Sequence, residues 1–477
     1  MFFAVLGWAA ILSSPAAAEK TQKGVLSEAG VKTGFVPTRA DEKKSATDYS
    51  PPPGYRKLRS FSSLHGLLVR SIRFEGLSRT RSSRLHHFMD TSAGRVFDAE
   101  IFDEDMRRIR NEELFRDMRV YAKHCEKNVS LIIYMRDKWS LLPYFNFVRG
   151  GGSYQLVFGA YDVNILGAMF MMDANFIVFD GRPSGILYLS VPRLWGLPLQ
   201  VGIDGGLSRS IRTVYGPRTS PQYIYAMQSQ WFDVSIASEP VPWVEIKLWQ
   251  KFSWNSVEFA KLSPLDDVLP AGGRRAVTGL MVSLGKVSYD DYLMHGLKLT
   301  AWASGAFKAL GSTEDFLRLT WDMRGYWRFG PRGGNLAARL HGGYVHGGNF
   351  LDEYVLGSFS GLRGFRYAQF IGKSYVAGSF EYRTGLLPVE FPIVSKLHRV
   401  FRGKTLRMQG VAFTEMGSMA GSLEHATTES GGMLWSIGAG FRGIFIPFYK
   451  AVLRVDLCYT LEPFRSFDLM IATQQAF

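Results

Sequence analysis

The chain has 477 residues, 46% of them hydrophobic and 21% charged, with a formal net charge of +14. That balance excludes a disordered or fibrous polypeptide. Past Leu12 no apolar run approaches the roughly 20 residues of a membrane helix, and the basic residues form no groove-like cluster, so helical membrane proteins and nucleic-acid binders are set aside. A mean hydropathy of −0.03 leaves a membrane barrel open, because residues facing lipid and lumen alternate and average out. Phe, Trp and Tyr make up 14%, and there are 50 glycines, above the average of roughly 7%, as many turns and close strand contacts require.

Phe2–Leu12 is apolar and is followed by Ser13-Ser14-Pro15 and Ala16-Ala17-Ala18. This reads as a secretory signal peptide over 1–18, although no Lys or Arg precedes the apolar run. Residues 19–66 read as a flexible linker, polar to Ser50 and punctuated by Pro51-Pro52-Pro53-Gly54. Export implies an oxidising compartment, yet Cys125 and Cys458 are the only cysteines.

A small α/β module is expected over 67–139. Leu68–Phe74 reads as a strand with Leu68, Ile72 and Phe74 in one phase. Ser78–Thr91 reads as helical, with Leu85 and Phe88 on one face. A second helix follows Asp98, a candidate N-cap, with Ile101, Met106 and Ile109, then Leu114 and Phe115, on its apolar side. Met118–Lys123 and Val129–Met135 then form a hairpin. This order resembles a POTRA domain; Gly76, Gly94, Phe97 and Lys138-Trp139 fall at the family's places, with Leu77 where the family often has Asn.

From 140 to 477, period-2 alternation dominates. Leu453, Val455 and Leu457 alternate with Arg454, Asp456 and Cys458; Leu317 and Leu319 with Arg318 and Thr320; Ile246 and Leu248 with Glu245 and Lys247. One face is apolar and the other charged, and the strands are of bilayer-crossing length. Trp195, Trp231, Trp243, Tyr326 and Trp327 read as interfacial aromatics. Turn signals divide the region into about sixteen strands, beginning near 141, 154, 168, 184, 198, 223, 241, 276, 296, 315, 335, 375, 405, 434, 450 and 466. The expected fold is therefore mainly β, a closed sixteen-stranded antiparallel transmembrane barrel after one small α/β domain.

Between the eleventh and twelfth strands a long segment carries Gly361-Leu362-Arg363-Gly364-Phe365, followed by Glu381 and Arg383 on the next strand. Phe413, Glu415 and Gly417 lie on the thirteenth, and the chain ends in Phe477. This constellation resembles the R-G-F loop, E-x-R strand and F-x-D-x-G strand of the BamA/TamA outer-membrane assembly superfamily, with Leu362 for Val or Ile and Glu415 for Asp. The terminal Phe477 resembles the family's C-terminal signal. The resemblance implies an outer-membrane barrel with its POTRA domain in the periplasm. It also implies a non-enzymatic role in inserting barrels or translocating polypeptides. Its partners would be outer-membrane lipids, unfolded barrel or secreted clients, and periplasmic chaperones or lipoproteins; no cofactor, metal or nucleic acid is implied. Clients would be received at POTRA edge strands and at a seam between the first and last barrel strands.

Arg363, on a loop folded into the lumen, would present its planar donor fork to a wall carboxylate. By strand phase Glu381, Arg383 and Glu415 all point inward, and Glu415 is the expected partner. Cys125 and Cys458 fall too far apart for a disulfide and are expected as free thiols. No G-x-S-x-G elbow is present. Gly150-Gly151-Gly152 reads as a hairpin turn, and His86-His87 as solvated helix residues. The alternative is a passive channel or structural barrel that kept the fold without insertase activity.

Overall fold

The computed structural model describes residues 49–58, 60–112, 114–215, 221–261, 272–290, 293–330, 334–385, 387–389, 406–420, 432–445 and 451–473. The expected signal peptide, the linker up to residue 48 and Phe477 lie outside the described residues.

The N-terminal module is a four-stranded sheet covered by helices. Its strands are β1 (Arg56–Lys57), β2 (Leu68–Glu75), β3 (Phe115–Cys125) and β4 (Asn128–Asp137), in spatial order β1-β3-β4-β2, with β2 parallel to β4. Helix α1 (Ser82–His86) is a single short turn, so most of 78–91 is irregular. Helix α2 (Ala99–Asn111) starts where expected: the Asp98 carboxylate accepts from the Glu100 and Ile101 backbone N–H groups at 2.8 and 3.2 Å, satisfying two orphan donors.

Three details of the sequence reading change. Ile101 is exposed while Phe102, Met106 and Ile109 are buried, because the apolar stripe runs i, i+4, i+7 from Phe102. Phe115 opens β3 rather than extending α2. A register shift between Val69 and Ser71 breaks the alternation of β2, so Val69 and Ile72 are buried and Leu68 is exposed.

The barrel strands are β5 (Leu141–Gly150), β6 (Ser153–Ile165), β7 (Phe170–Phe179), β8 (Arg182–Val191), β9 (Leu199–Tyr215), β10 (Pro221–Val241), β11 (Val244–Lys261) and β12 (Gly273–Asp290). They continue with β13 (Leu293–Ala306), β14 (Phe316–Phe329) and β15 (Gly334–Gly347). After the short loop strands β16 (Tyr354–Leu356) and β17 (Phe370–Gly372) come β18 (Ser374–Arg383) with its continuation β19 (Leu387–Val389), then β20 (Leu406–Ala420), β21 (Leu434–Phe445), β22 (Ala451–Glu462) and β23 (Ser466–Ala472). Taking β18 and β19 as one bent strand, sixteen antiparallel strands close into a barrel. Every start lies within about three residues of the sequence reading.

Closure follows from the alternation. Leu248, Leu317, Leu319, Leu453 and Leu457 face outward and are exposed, whereas Glu245, Lys247, Asp322, Arg454 and Asp456 are buried on the lumen side. In hydrocarbon only a closed sheet pairs every backbone group. Trp195, Trp243 and Trp327 are exposed, but two expected interfacial aromatics point inward. Trp231 is buried and donates its indole N–H to Asp204 at 3.0 Å, and Tyr326 is buried near the Arg383 guanidinium. Both stand on the lumen phase of their strands, which overrides the aromatic preference for interfaces.

The module sits on the barrel turns nearest to it. Arg79 pairs with Asp162 at 2.6 Å, the Asn164 amide donates to Thr80 at 2.7 Å, and Arg84 donates to the Ala168 carbonyl at 2.9 Å. Met169, from the β6–β7 turn, is buried in the module's own core.

Candidate functional site

The segment between β15 and β18 turns back into the barrel instead of projecting outward. Its β16–β17 ribbon pairs Tyr354–Gly372 through Leu356–Phe370. Phe350, Leu351 and Tyr367 pack with Phe179, Val214 and Tyr225 on one wall. Leu356, Leu362 and Phe365 pack with Phe316, Tyr375 and Met419 on another. Apolar contacts on both sides carry the segment across the lumen.

At its tip Gly361-Leu362-Arg363-Gly364-Phe365 places Arg363 almost fully enclosed, 3% exposed. Its Nε donates to Glu415 Oε1 at 2.8 Å, Nη1 donates to Asp456 Oδ2 at 2.9 Å, and its backbone N–H donates to Glu415 Oε2 at 2.5 Å. Nη2 lies within ion-pair distance of Glu415 and Glu381, at 2.7 and 2.8 Å. The guanidinium also stacks on the Phe413 ring, 3.5 Å from its centroid. Such a stacked, multiply bonded cation needs the planar fork of arginine.

The surrounding residues explain the motif. Gly364 has φ +91°, and a Cβ there would lie 3.1 Å from Thr460 Cγ2 and 3.3 Å from Cys458 Cβ, so only glycine lets the loop reach this depth. Gly361 also has a positive φ and lies beside His341. Leu362 and Phe365 are buried; the Phe365 ring meets Phe370 and Phe464 edge-on. Leu362 reaches Gly417, whose missing side chain leaves it room. Ser379, opposite Glu415 on β18, donates its hydroxyl to Glu415 Oε1 at 3.0 Å.

Glu381 and Arg383 join the same cluster: Arg383 Nε donates to Glu381 Oε2 at 2.8 Å. Sequence reasoning missed Asp456, Arg442 and Arg454. Arg442 donates to Asp456, and Arg454 lies 3.5 Å from it. The result is a buried set of four guanidinium groups and three carboxylates on β18, β20, β21, β22 and the loop. The lumen phase of β22 was legible as Arg454-x-Asp456-x-Cys458, but its closeness to β20 depends on sheet register, which no local pattern encodes.

The first and last strands close the barrel. β5 and β23 pair at Ile471–Arg149 and Ala472–Val148, and Thr473 donates its backbone N–H to the Phe147 carbonyl at 2.9 Å. The β5–β6 turn touches the lumen loop at this seam. Tyr367 donates its backbone N–H to the Gly151 carbonyl at 2.9 Å, and Gly151 N–H donates to Asp468 Oδ2 on β23 at 2.9 Å. A Cβ at Gly151, whose φ is +60°, would meet Ser358 Cβ at 2.5 Å and Phe365 O at 2.6 Å.

A closed even-stranded barrel with an apolar outer belt, an arginine-bearing segment locked in its lumen and a small α/β module at one end defines an outer-membrane β-barrel protein with a POTRA-type domain. The pattern of the Omp85 superfamily domain matches residues 266–462, and a POTRA pattern, described as surface antigen variable number repeat, matches 67–134. The chain thus carries an Omp85 superfamily domain and one POTRA domain.

Among solved structures it is similar to BamA from Haemophilus ducreyi lacking POTRA domains 1–3, at 12% identity and TM-score 0.63, with 85% of this chain and 84% of that one covered. It is also similar to CdiB from Escherichia coli, at 14% identity and TM-score 0.59, covering 88% and 80%. CdiB from Acinetobacter baumannii follows at 13% and 0.57, covering 88% and 77%. At these identities the likeness shows the fold. No curated protein sequence matches.

Proposed function

We propose that the chain is a non-enzymatic outer-membrane factor that inserts barrel proteins into the membrane or moves polypeptides across it, taking clients at the POTRA sheet and at the β5–β23 seam. The observation that carries this reading is the junction of the first and last strands, at Arg149–Ile471 and Val148–Ala472, in a barrel with an Omp85 superfamily domain. A sheet edge freed when such a junction opens is a template for a further strand. The loop that crosses the lumen, anchored through Arg363, weighs against a passive pore. In this reading the Arg363 cluster is a structural anchor that holds β18–β22 rigid while the seam opens. The POTRA domain faces the periplasm.

The test uses the purified chain in lipid vesicles with an unfolded eight-stranded barrel polypeptide as client. Val148 and Ala472 face one another across the seam, so Val148→Cys with Ala472→Cys, with Cys125→Ser and Cys458→Ala, closes it on oxidation. The reduced protein should speed client folding, the oxidised protein should not, and reductant should restore the rate. Equal client folding with and without the chain, accompanied by solute-driven vesicle swelling, supports the pore instead.

A further inference from the structure

The POTRA sheet is not bare. Residues 49–58 cross its open face and then join its edge. Tyr49 stacks on Tyr134, centroids 4.1 Å apart, lies 5.4 Å from Tyr121, and donates its hydroxyl to Glu75 Oε2 at 2.5 Å. Tyr55 accepts from Arg73 Nη2 at 3.2 Å. The chain then pairs antiparallel with β3, Arg56 opposite Ala122 and Lys57 opposite Tyr121, and Leu58 donates its N–H to the Val120 carbonyl at 2.9 Å. This strap therefore touches β2, β4 and β3 in turn and ends as the edge strand β1.

We propose that residues 49–58 form a displaceable cis strand, which occupies the site where the POTRA sheet binds an extended polypeptide bearing an aromatic side chain, and which leaves when that polypeptide adds to β3. The seated strap shows what the surface accepts: main-chain bonds along β3 and an aromatic ring against Tyr134 and Tyr121. It is also weakly held. β1 is two residues long, and both Arg56 and Lys57 are exposed. Pro51-Pro52-Pro53 favours an extended backbone, so the strap is shaped for this path, and it meets the module's core at the partly buried Leu58. Among the described residues the module's polar contacts with the barrel run through Arg79, Thr80, Arg81, Arg84 and His87, away from the β1 edge. An intramolecular strap competes at high effective concentration, so it screens out weak binders and yields to segments that pair along more of β3.

The identity of the occupant as a client rests on the proposed assembly function, whereas the exchange itself does not. The test uses the full chain in detergent micelles and, as probe, a dye-labelled peptide copying residues 49–60, read by fluorescence anisotropy. Tyr49→Ala with Arg56→Pro, two changes outside the core, removes the ring contact and a ladder donor. This variant should bind the peptide at least about tenfold more tightly than the unaltered chain. Lys57→Cys with Tyr121→Cys and Cys125→Ser places thiols at directly opposed positions. Oxidised, it should not bind the peptide; reduced, it should. Equal binding by the oxidised and reduced forms overturns the proposal, because the peptide then sits elsewhere. So does an unaltered affinity in the Tyr49→Ala, Arg56→Pro variant. In the unaltered chain the Ala122 amide should exchange with solvent faster than the Ile132 amide of central β4; equal protection overturns displaceability without any variant. If vesicle insertion fails while peptide exchange succeeds, only the client reading falls.

Discussion

The sharpest consequence of the lumen cluster concerns Arg363 and Glu415. Replacing Arg363 with Ala leaves Glu381 with Arg383 and Asp456 with Arg442, but Glu415 keeps only the Ser379 hydroxyl and a backbone N–H in its described contacts. Stranding one member of a buried ion pair costs about 3–5 kcal/mol. Glu415→Ala should cost a similar amount by stranding part of the Arg363 charge against Phe413. Were the two residues independent, the double variant would lose about 6–10 kcal/mol. Because each change removes the interaction that the other also removes, the expected loss is about 4–6 kcal/mol, a coupling of roughly 2 kcal/mol or more. The assay is the temperature at which the folded barrel loses its compact migration in detergent gels, backed by urea unfolding rates in micelles. Arg136→Ala, which breaks the Arg136–Asp117 pair in the POTRA module, serves as a remote control and should add to Arg363→Ala without coupling. Full additivity of Arg363→Ala and Glu415→Ala refutes the direct buried bridge.

Other outcomes follow from the same geometry. Gly151→Val forces a β-branched residue into φ +60° against Ser358 and Phe365; the backbone strain alone is about 1–3 kcal/mol, and the variant should show faster unfolding in urea and a seam that crosslinks less readily. Asp137 accepts from the Ser78 and Arg79 backbone N–H groups at 2.7 Å and from Thr80. Burial acts against its charge, but these bonds outweigh it and hold the carboxyl below its usual range. A depressed carboxylate contributes stability above its unfolded value, near pH 4, and loses it as pH falls further; POTRA amide protection factors, referred to the unfolded-chain rate at each pH, should fall below about pH 4, and Asp137→Asn should abolish that dependence. Cys125 is exposed and Cys458 is buried and both are free thiols, so a maleimide reagent should label the folded protein once, at Cys125, and twice after denaturation.

The strand pattern was readable because it is local. Alternation fixes which residues face lipid, and turn residues fix where strands end, so every barrel strand start could be placed within a few residues. Reading failed where a distant partner decides. Trp231 and Tyr326 resemble membrane anchors by residue type, yet their strand phase aims them at Asp204 and Arg383. Leu68 fits an alternating strand, but a bulge against β4 turns it outward. The lumen site divides along the same line. Arg363 and Glu415 were legible because Gly361-Leu362-Arg363-Gly364-Phe365 and Phe413-x-Glu415-x-Gly417 resemble a known family's loop and strand motifs. Asp456 looked like one more charge on an amphipathic strand until the loop brought Arg363 within 2.9 Å of it. Gly151 occurs in a plain hairpin triplet, and nothing around it signals that its two backbone bonds join the first hairpin to the loop and to the last strand. Since that junction lies where the first and last strands meet, loosening the loop at Arg363 should register at the seam between Val148 and Ala472. Crosslinking between positions 148 and 472 should therefore slow in Arg363→Ala, whereas a loop that only plugs the lumen would leave the rate unaltered.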